Sequence, residues 1–337
     1  MKQRNIIFIL VAALIAFPLL WAAYSAINNS IIASRWLQNP HPSGERIQAG
    51  NTSLFIRVKG QGTPAVIIQT GLGSTSLEWW HIQDRLAKDT TVITYDRDAY
   101  GWSLASGSPA TAERVTTNLR AILQNKGIRG PYILVGHDIG ALYTQHFARK
   151  HPADVAGVVM INPITTEYGL LKEELPRVFY QNLIRRTPKL RIAGLAADAG
   201  IMRSLRILVN ENIPCNVLND VISHYSRGDV YDAMILEYGS NLDTSIQQVQ
   251  DAGPFPNRPL TILRYSENDY RNRLYKFQMS WDEARMVNRV YATIFRKAAN
   301  LSPRGILRQS EKGLHYLHLD DPRLVTESIQ QQLRLTR

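Results

Sequence analysis

Short apolar runs alternate with amphipathic stretches along most of the chain. Residues 53–58 (SLFIRV) read as a half-buried strand. Residues 65–70 (AVIIQT), 91–96 (TVITYD), 132–136 (YILVG) and 155–161 (VAGVVMI) are apolar runs of buried-strand length, and 260–265 (LTILRY) and 306–309 (ILRQ) repeat the theme. Between them the spacing becomes helical. Val115, Leu119, Ile122 and Leu123 share one face of a helix that Gly127 closes, and Leu142, Phe147 and Ala148 lie on another. Ala284, Val287, Tyr291 and Ile294 mark a long helix before the last strand. Repeated strand–helix–strand units predict an α/β fold, a doubly wound and mostly parallel sheet covered on both faces.

Two stretches break this rhythm. Residues 165–257 are helical in composition with several turn signals, which predicts a helical lid inserted between two strands. Its aromatics Tyr168, Phe179, Tyr180, Tyr225, Tyr231 and Tyr238 are partly candidates for a pocket and mostly for packing. Residues 6–27 contain no charge, and as a helix they would span about 33 Å, close to the hydrocarbon thickness of a bilayer. Lys2 and Arg4 precede this run. The expectation is therefore a transmembrane anchor at 1–27 with the rest of the chain on the extracytoplasmic side. A cleaved signal peptide ending near Ala23-Tyr24-Ser25 is the competing reading. Residues 28–45, polar and containing Pro40 and Pro42, are expected to be a linker. The core would then occupy 46–164 and 258–337 around the 165–257 lid.

Composition narrows the function classes. Apolar residues make up 45% and charged residues 20% of 337, which excludes wholesale disorder. The net charge is +11, but no run of five or six Lys/Arg occurs. We therefore expect no nucleic-acid partner, and attraction to anionic lipid fits better. The single Cys215 excludes an internal disulfide framework and a cysteine-based zinc site, and no cofactor or metal is expected.

The candidate chemistry centres on Gly136-His137-Asp138-Ile139-Gly140, between a buried strand and a helix. A sharp strand-to-helix turn flanked by glycines holds its central residue exposed above the sheet edge, as in a nucleophile elbow. That residue is Asp138; the alternative role is to cap the helix that follows.

From about Ile47 onwards the chain resembles the α/β-hydrolase superfamily. Further segments are similar to it: Gln69-Thr70-Gly71-Leu72-Gly73 after the third strand, Tyr95-Asp96-Arg97-Asp98-Ala99-Tyr100-Gly101-Trp102-Ser103 with Ala99 where glycine is usual, and Gly313-Leu314-His315-Tyr316-Leu317-His318-Leu319-Asp320-Asp321-Pro322 as the late histidine loop. The resemblance implies Asp138 as nucleophile and His315 as general base, with His318 the alternative base. It implies Asp269 as the acid, in preference to Glu267, since the other acid position holds Asn162. The backbone amides of Leu72 and Ile139 would form the oxyanion hole, and Asp96 and Asp98 would be structural. An aspartate nucleophile suits an sp3 carbon bearing a leaving group or a strained epoxide, through an alkyl-enzyme ester that His315-activated water hydrolyses. Two departures stand out. Ile139 replaces the tryptophan usual after the nucleophile of dehalogenases, and QTGLG replaces the H-G-x-P of epoxide hydrolases. The expected function is hydrolysis of a small hydrophobic substrate by a membrane-anchored enzyme. The alternatives are a catalytically silent binding protein of the same fold and a carboxylesterase-like enzyme using another serine such as Ser74.

Overall fold

The computed structural model describes residues 2–175, 186–206, 210–276 and 279–336. The apolar runs become one eight-stranded sheet in the order β1-β2-β4-β3-β5-β6-β7-β8. Its strands are β1 (Glu45–Ala49), β2 (Thr52–Lys59), β3 (Ala65–Gln69), β4 (Val92–Tyr95), β5 (Tyr132–His137), β6 (Val155–Ile161), β7 (Leu260–Arg264) and β8 (Gly305–Gln309). β1 and β2 pair antiparallel, as do β2 and β4; every pair from β4 to β8 is parallel. The continuous apolar runs map onto the central strands β3, β5 and β6, buried at every position because helices cover both faces.

On one face lie α2 (Trp80–Leu86) and the C-terminal α14 (Pro322–Thr336), whose Val325, Ile329 and Leu333 pack with Val66, Val135 and Val159. On the other lie α3 (Ala112–Asn125), α4 (Ile139–Lys150) and α12 (Trp281–Ala299), which bring Leu119, Phe147 and Ile294 against Ile67, Leu134 and Ile262. The alternating orientation of strand side chains divides this core into two layers.

Between β6 and β7 the described residues form helices and no strand: α5 (Gly169–Glu174), α6 (Arg186–Asp198), α7 (Ile201–Leu205), α8 (Leu218–Tyr225), α9 (Gly228–Ile235), a π-helical turn (Leu236–Ser240) and α10 (Leu242–Asp251). Phe179 and Tyr180 lie outside the described residues. The described residues also form α11 (Glu267–Lys276) after β7, α13 (Leu317–Asp320) after β8, and 3-10 turns at Ser76–Trp79, Pro152–Asp154 and Thr166–Tyr168.

The N-terminal expectations need correction. The sequence predicts a spanning segment at 6–27 followed by a polar linker to residue 45. The structure has one helix, α1 (Lys2–Gln38), running through the first stretch and into the second as far as residue 38. Among the described residues, no helix is long and apolar enough to cross a membrane. The polar half of α1 is ordered by tertiary contacts that composition does not reveal. Asn29 is buried and donates from Nδ2 to Ala197 O (2.8 Å) and Ser226 O (2.9 Å), while its Oδ1 accepts from Arg203 Nε (2.9 Å). Ser25 Oγ donates to Ala199 O (2.9 Å). Trp36 donates from Nε1 to Asp220 Oδ1 (2.7 Å) and stacks on Trp102 at 4.6 Å. These bonds tie α1 to the inserted helices and to the loop after β4, so the segment expected to be a tether is part of the folded body.

Candidate active site

Asp138 follows the last residue of β5 and precedes the first of α4, with φ 53° and ψ −121°. That backbone conformation is disfavoured for any residue with a Cβ and persists only where its surroundings fix it. The flanking glycines supply the room. A Cβ on Gly136 would lie 2.6 Å from Ala141 Cα, and one on Gly140 would lie 2.4 Å from Thr70 O. The Asp138 carbonyl also accepts from Ala141 N (3.1 Å) and Ile164 N (3.0 Å), so the turn is held by backbone bonds. Asp138 makes no side-chain capping bond to α4; its carboxylate points to the loop after β3, where Leu72 N donates to Oδ2 at 3.1 Å.

The aim of that amide has a traceable cause. Gly71 C=O and Leu72 N–H belong to one planar trans peptide, so they point in opposite directions. Arg97 Nη2 donates to Gly71 O (2.9 Å), and Nη1 donates to Thr70 O (2.6 Å) and Thr70 Oγ1 (3.0 Å). With the carbonyl held on Arg97, the amide faces Asp138. Arg97 is itself paired with Glu237 of the π-helical turn, at 2.8 Å between Nε and Oε1, and both side chains are almost wholly buried. Tyr100 OH donates to Glu237 Oε2 (2.6 Å) and Tyr143 OH to Oε1 (2.9 Å). A clasp of four buried side chains therefore joins the insertion to the loop after β3. Arg97 lies inside a segment the sequence singles out, but nothing local marks Glu237.

His315 brings Nε2 to 4.0 Å from Asp138 Oδ2 and is 41% exposed at its side chain. That separation is too long for a direct hydrogen bond, and one water can touch both groups across it. The His315 carbonyl accepts from His137 Nε2 (2.9 Å) and from Asn162 Nδ2 (2.9 Å), and Asn162 Nδ2 also donates to Leu314 O (3.0 Å). Asn162 Oδ1 accepts from Tyr265 N (2.8 Å). The residue that closes the alternative acid position is thus a splint between β6, β7 and the histidine loop, a role the sequence does not disclose. Asp269, in the first turn of α11, accepts from Gly313 N at 3.0 Å through Oδ2 and so reaches the histidine loop. Glu267 is engaged elsewhere, by Arg264 Nη2 at 3.3 Å. Ile139, the first residue of α4, is buried with Leu72, Ile164 and Tyr238. Its N–H is among those at a helix start without an intrahelical acceptor, as an oxyanion donor must be.

His318 stands apart. It is fully buried, stacks on Trp79 at 4.2 Å and 7°, and lies 3.6 Å from Glu78. Burial holds it well below the ordinary histidine range. Burial, then the neighbouring His315, pushes His137 down to about 4. His224, whose Nε2 lies 2.8 Å from Gly73 O, is also pushed down to about 4 by burial, as is His146. Burial raises Glu78 and Asp96. Asp96 binds Thr75 Oγ1 (2.9 Å), Ser76 N (2.7 Å) and Trp102 N (3.2 Å), and Asp98 binds Ser106 N (2.8 Å), which makes both structural. Ala99 takes φ 67°, the conformation for which glycine would be the easier choice.

These shifts predict an acid-sensitive fold. Below the ordinary histidine value of 6.5, an unfolded chain protonates His137, His146, His224 and His318 while the folded chain resists, so stability falls as pH drops from there towards about 4. Glu78 and Asp96 act in the opposite sense, because the folded state takes up their protons first, but these two groups oppose the four histidines together with His81 and His151, which burial also lowers. The urea midpoint should therefore be lower at about pH 5 than at about pH 7.5. An unchanged or higher midpoint would show that these histidines are not held neutral.

Among the described residues, no group of three or more His, Cys, Asp or Glu could hold a metal ion. A cavity of about 380 Å³, lined by residues that include Arg120, Arg129, Tyr132 and Phe147, lies at the opposite end of β5 from Asp138 and contains none of the site residues.

Comparison with known proteins fits this fold. A family model described as the alpha/beta hydrolase fold matches residues 64–284. An AB hydrolase superfamily protein of Gibberella zeae is 24% identical over 307 residues, covering 84% of this chain and 92% of that protein. Of the first three curated relatives matched, the chain spans only 15%, 42% and 20% of the length. Among solved structures, the Cif epoxide hydrolase from Acinetobacter nosocomialis superposes with a TM-score of 0.68 at 16% identity, covering 93% of this chain and 96% of that one. A thermophilic esterase from Thermogutta terrifontis superposes at 0.58 with 18% identity, covering 87% and 99%.

Proposed function

Since this chain belongs to the α/β-hydrolase-fold family, we propose that it is a hydrolase of small hydrophobic epoxides or alkyl halides that uses Asp138 as a covalent nucleophile. The observation that carries this reading is the Asp138 carboxylate on the elbow, with Oδ2 already accepting from Leu72 N at 3.1 Å. With Oδ2 in the oxyanion hole, Oδ1 is the attacking atom. It forms a carbon–oxygen bond as the carbon–leaving-group bond breaks, giving an alkyl ester of Asp138. His315 then takes a proton from water, whose oxygen adds to the ester carbon. The oxyanion develops on Oδ2, where the amides of Leu72 and Ile139 stabilise it, and the alcohol leaves with the original Oδ1. Asp269 is the acid of the triad and positions the His315 loop.

The inserted helices act as the lid. Ring opening of an epoxide also requires a proton donor for the departing oxygen, which halide release does not. Tyr168 and Tyr238 hydroxyls form a hydrogen-bonded pair, and both rings pack in the cluster that holds Leu72 and Ile139. Among the other lid tyrosines, Tyr225 donates to Glu78 (2.9 Å) and Tyr231 to Tyr225 O (2.8 Å), which assigns them to packing. This favours the epoxide branch and makes the Tyr168–Tyr238 pair its acid. The test is turnover of matched epoxide, haloalkane and ester panels by the parent and by Tyr168→Phe/Tyr238→Phe. The expected result is epoxide hydrolysis reduced about 100-fold or more in the double variant. Turnover confined to esters would overturn the nucleophile reading, and full epoxide activity in the double variant would overturn the acid assignment.

A further inference from the structure

The outer face of the lid next to α1 has a composition that water does not favour. Along α6 and α7, Ile192, Leu195 and Leu205 are 67%, 72% and 66% exposed. Ile192 and Leu195 fall three residues apart on one flank of α6, while Gly194 and Ala197 on its opposite flank are buried, with Gly194 against Tyr231 of α9. The exposed apolar residues alternate with exposed cations, Lys189, Arg191 and Arg206. This patch is continuous with α1, because Ser25 bonds to Ala199 in the turn between α6 and α7. In the turn that ends at Ser25, Trp21 and Tyr24 are 56% and 67% exposed, and beyond them Phe17, Leu14 and Phe8 project outwards.

We propose that this face of the lid, with the apolar part of α1 beside it, docks onto a bilayer surface carrying anionic lipid. The chemistry of the patch selects that occupant. Isolated leucines and isoleucines reach past a headgroup layer, guanidinium and ammonium groups meet phosphates at its level, and Trp and Tyr favour the boundary between the two. A protein partner would match the apolar residues but would bury the interleaved cations, whereas a lipid surface satisfies both. The net charge of +11 adds long-range attraction of the same sign. Docking here is peripheral and requires no helix to cross the membrane. It places the lid, and the site beneath it, at the phase in which hydrophobic substrates accumulate.

The experiment places an environment-sensitive fluorophore at Leu195→Cys or Leu205→Cys in the full chain, with Cys215→Ser removing the native thiol. Gln124→Cys, exposed on α3, is the control. Vesicles of phosphatidylcholine alone are compared with phosphatidylcholine mixed with phosphatidylglycerol, and a lipid-borne spin label serves as quencher. The expected result is a blue shift and quenching at 195 and 205, but not at 124, in the mixed vesicles. Lys189→Glu/Arg191→Glu/Arg206→Glu should weaken that response about tenfold or more. A probe that stays in water while the chain is vesicle-bound through α1 would overturn the proposal. So would equal insertion into neutral vesicles. A blue shift without lipid that grows with protein concentration would assign the face to a second copy instead.

Discussion

Asp138→Ala should abolish turnover, by about 10⁴-fold or more, whereas His315→Gln should stop the enzyme halfway. The asymmetry follows from the order of events. Alkylation needs only a carboxylate held against the substrate, and hydrolysis of the ester needs a base for water. The His315→Gln enzyme should therefore gain the mass of one substrate on the peptide carrying Asp138 and turn over no further. In the parent, a single turnover in H₂¹⁸O should leave one heavy oxygen in Asp138 and none in the new hydroxyl, because water attacks the carboxyl carbon and the product departs with an oxygen of the aspartate. Label found only in product during a verified single turnover would mean that water attacks the substrate directly, and Asp138 would then be a base. An Asp138→Ala enzyme of full activity would remove it from the chemistry altogether.

The second large effect belongs to Glu237. Its carboxylate is the counter-ion of Arg97 and the acceptor for Tyr100 and Tyr143. Glu237→Ala leaves one buried cation and two buried hydroxyls without that partner, a change that should cost about 3–5 kcal/mol of stability. Urea unfolding measures it directly. Stability and catalysis should separate in the paired replacement Arg97→Met/Glu237→Leu. Two apolar side chains of similar volume remove the unpaired cation and should recover part of the lost stability, the Tyr100 and Tyr143 hydroxyls remaining without that acceptor. They cannot hold the Gly71 carbonyl, so the Leu72 amide loses its aim and turnover should remain about 10- to 100-fold low. If the double variant regains parental turnover, Arg97 does not orient the oxyanion loop.

The sheet was legible because its central strands are buried on both faces and must therefore be largely apolar, as at 65–68 and 132–136. β1 escaped notice because ERIQA is short, half polar and at the edge, where pairing to β2 fixes it. Residues 28–38 read as a tether since their helix is stabilised by Asn29 and Trp36 reaching partners 168 or more residues away. The same distance hides the clasp, whose members Arg97 and Glu237 are 140 residues apart. The elbow showed because its constraint is local: the glycines and the turn residue lie within five positions. Asp269 and Glu267 could only be ranked from sequence, as both follow β7; what separates them is that Arg264 engages one and the Gly313 amide the other.

The wider turn at Leu236–Ser240 takes up one residue more than a regular α-helix would hold between two sets of core contacts. Before it, α9 presents Met234 to Gly73, and the turn itself presents Glu237 to Arg97. After it, α10 presents Ser245 to Ala112 N (3.1 Å) and Gln248 to Glu113 N (2.9 Å). Both sets meet the core with the extra residue in place because the bond from Asn241 N to Leu236 O closes over five residues rather than four. Deleting one residue here would restore the ordinary helical count and leave the two sets facing nearly as they do now, whereas adding one residue to a regular helix would rotate one set by about 100° relative to the other. A homologue one residue shorter here can therefore keep the α9 and α10 contacts, and what it lacks is the bulge that presents Glu237 to Arg97.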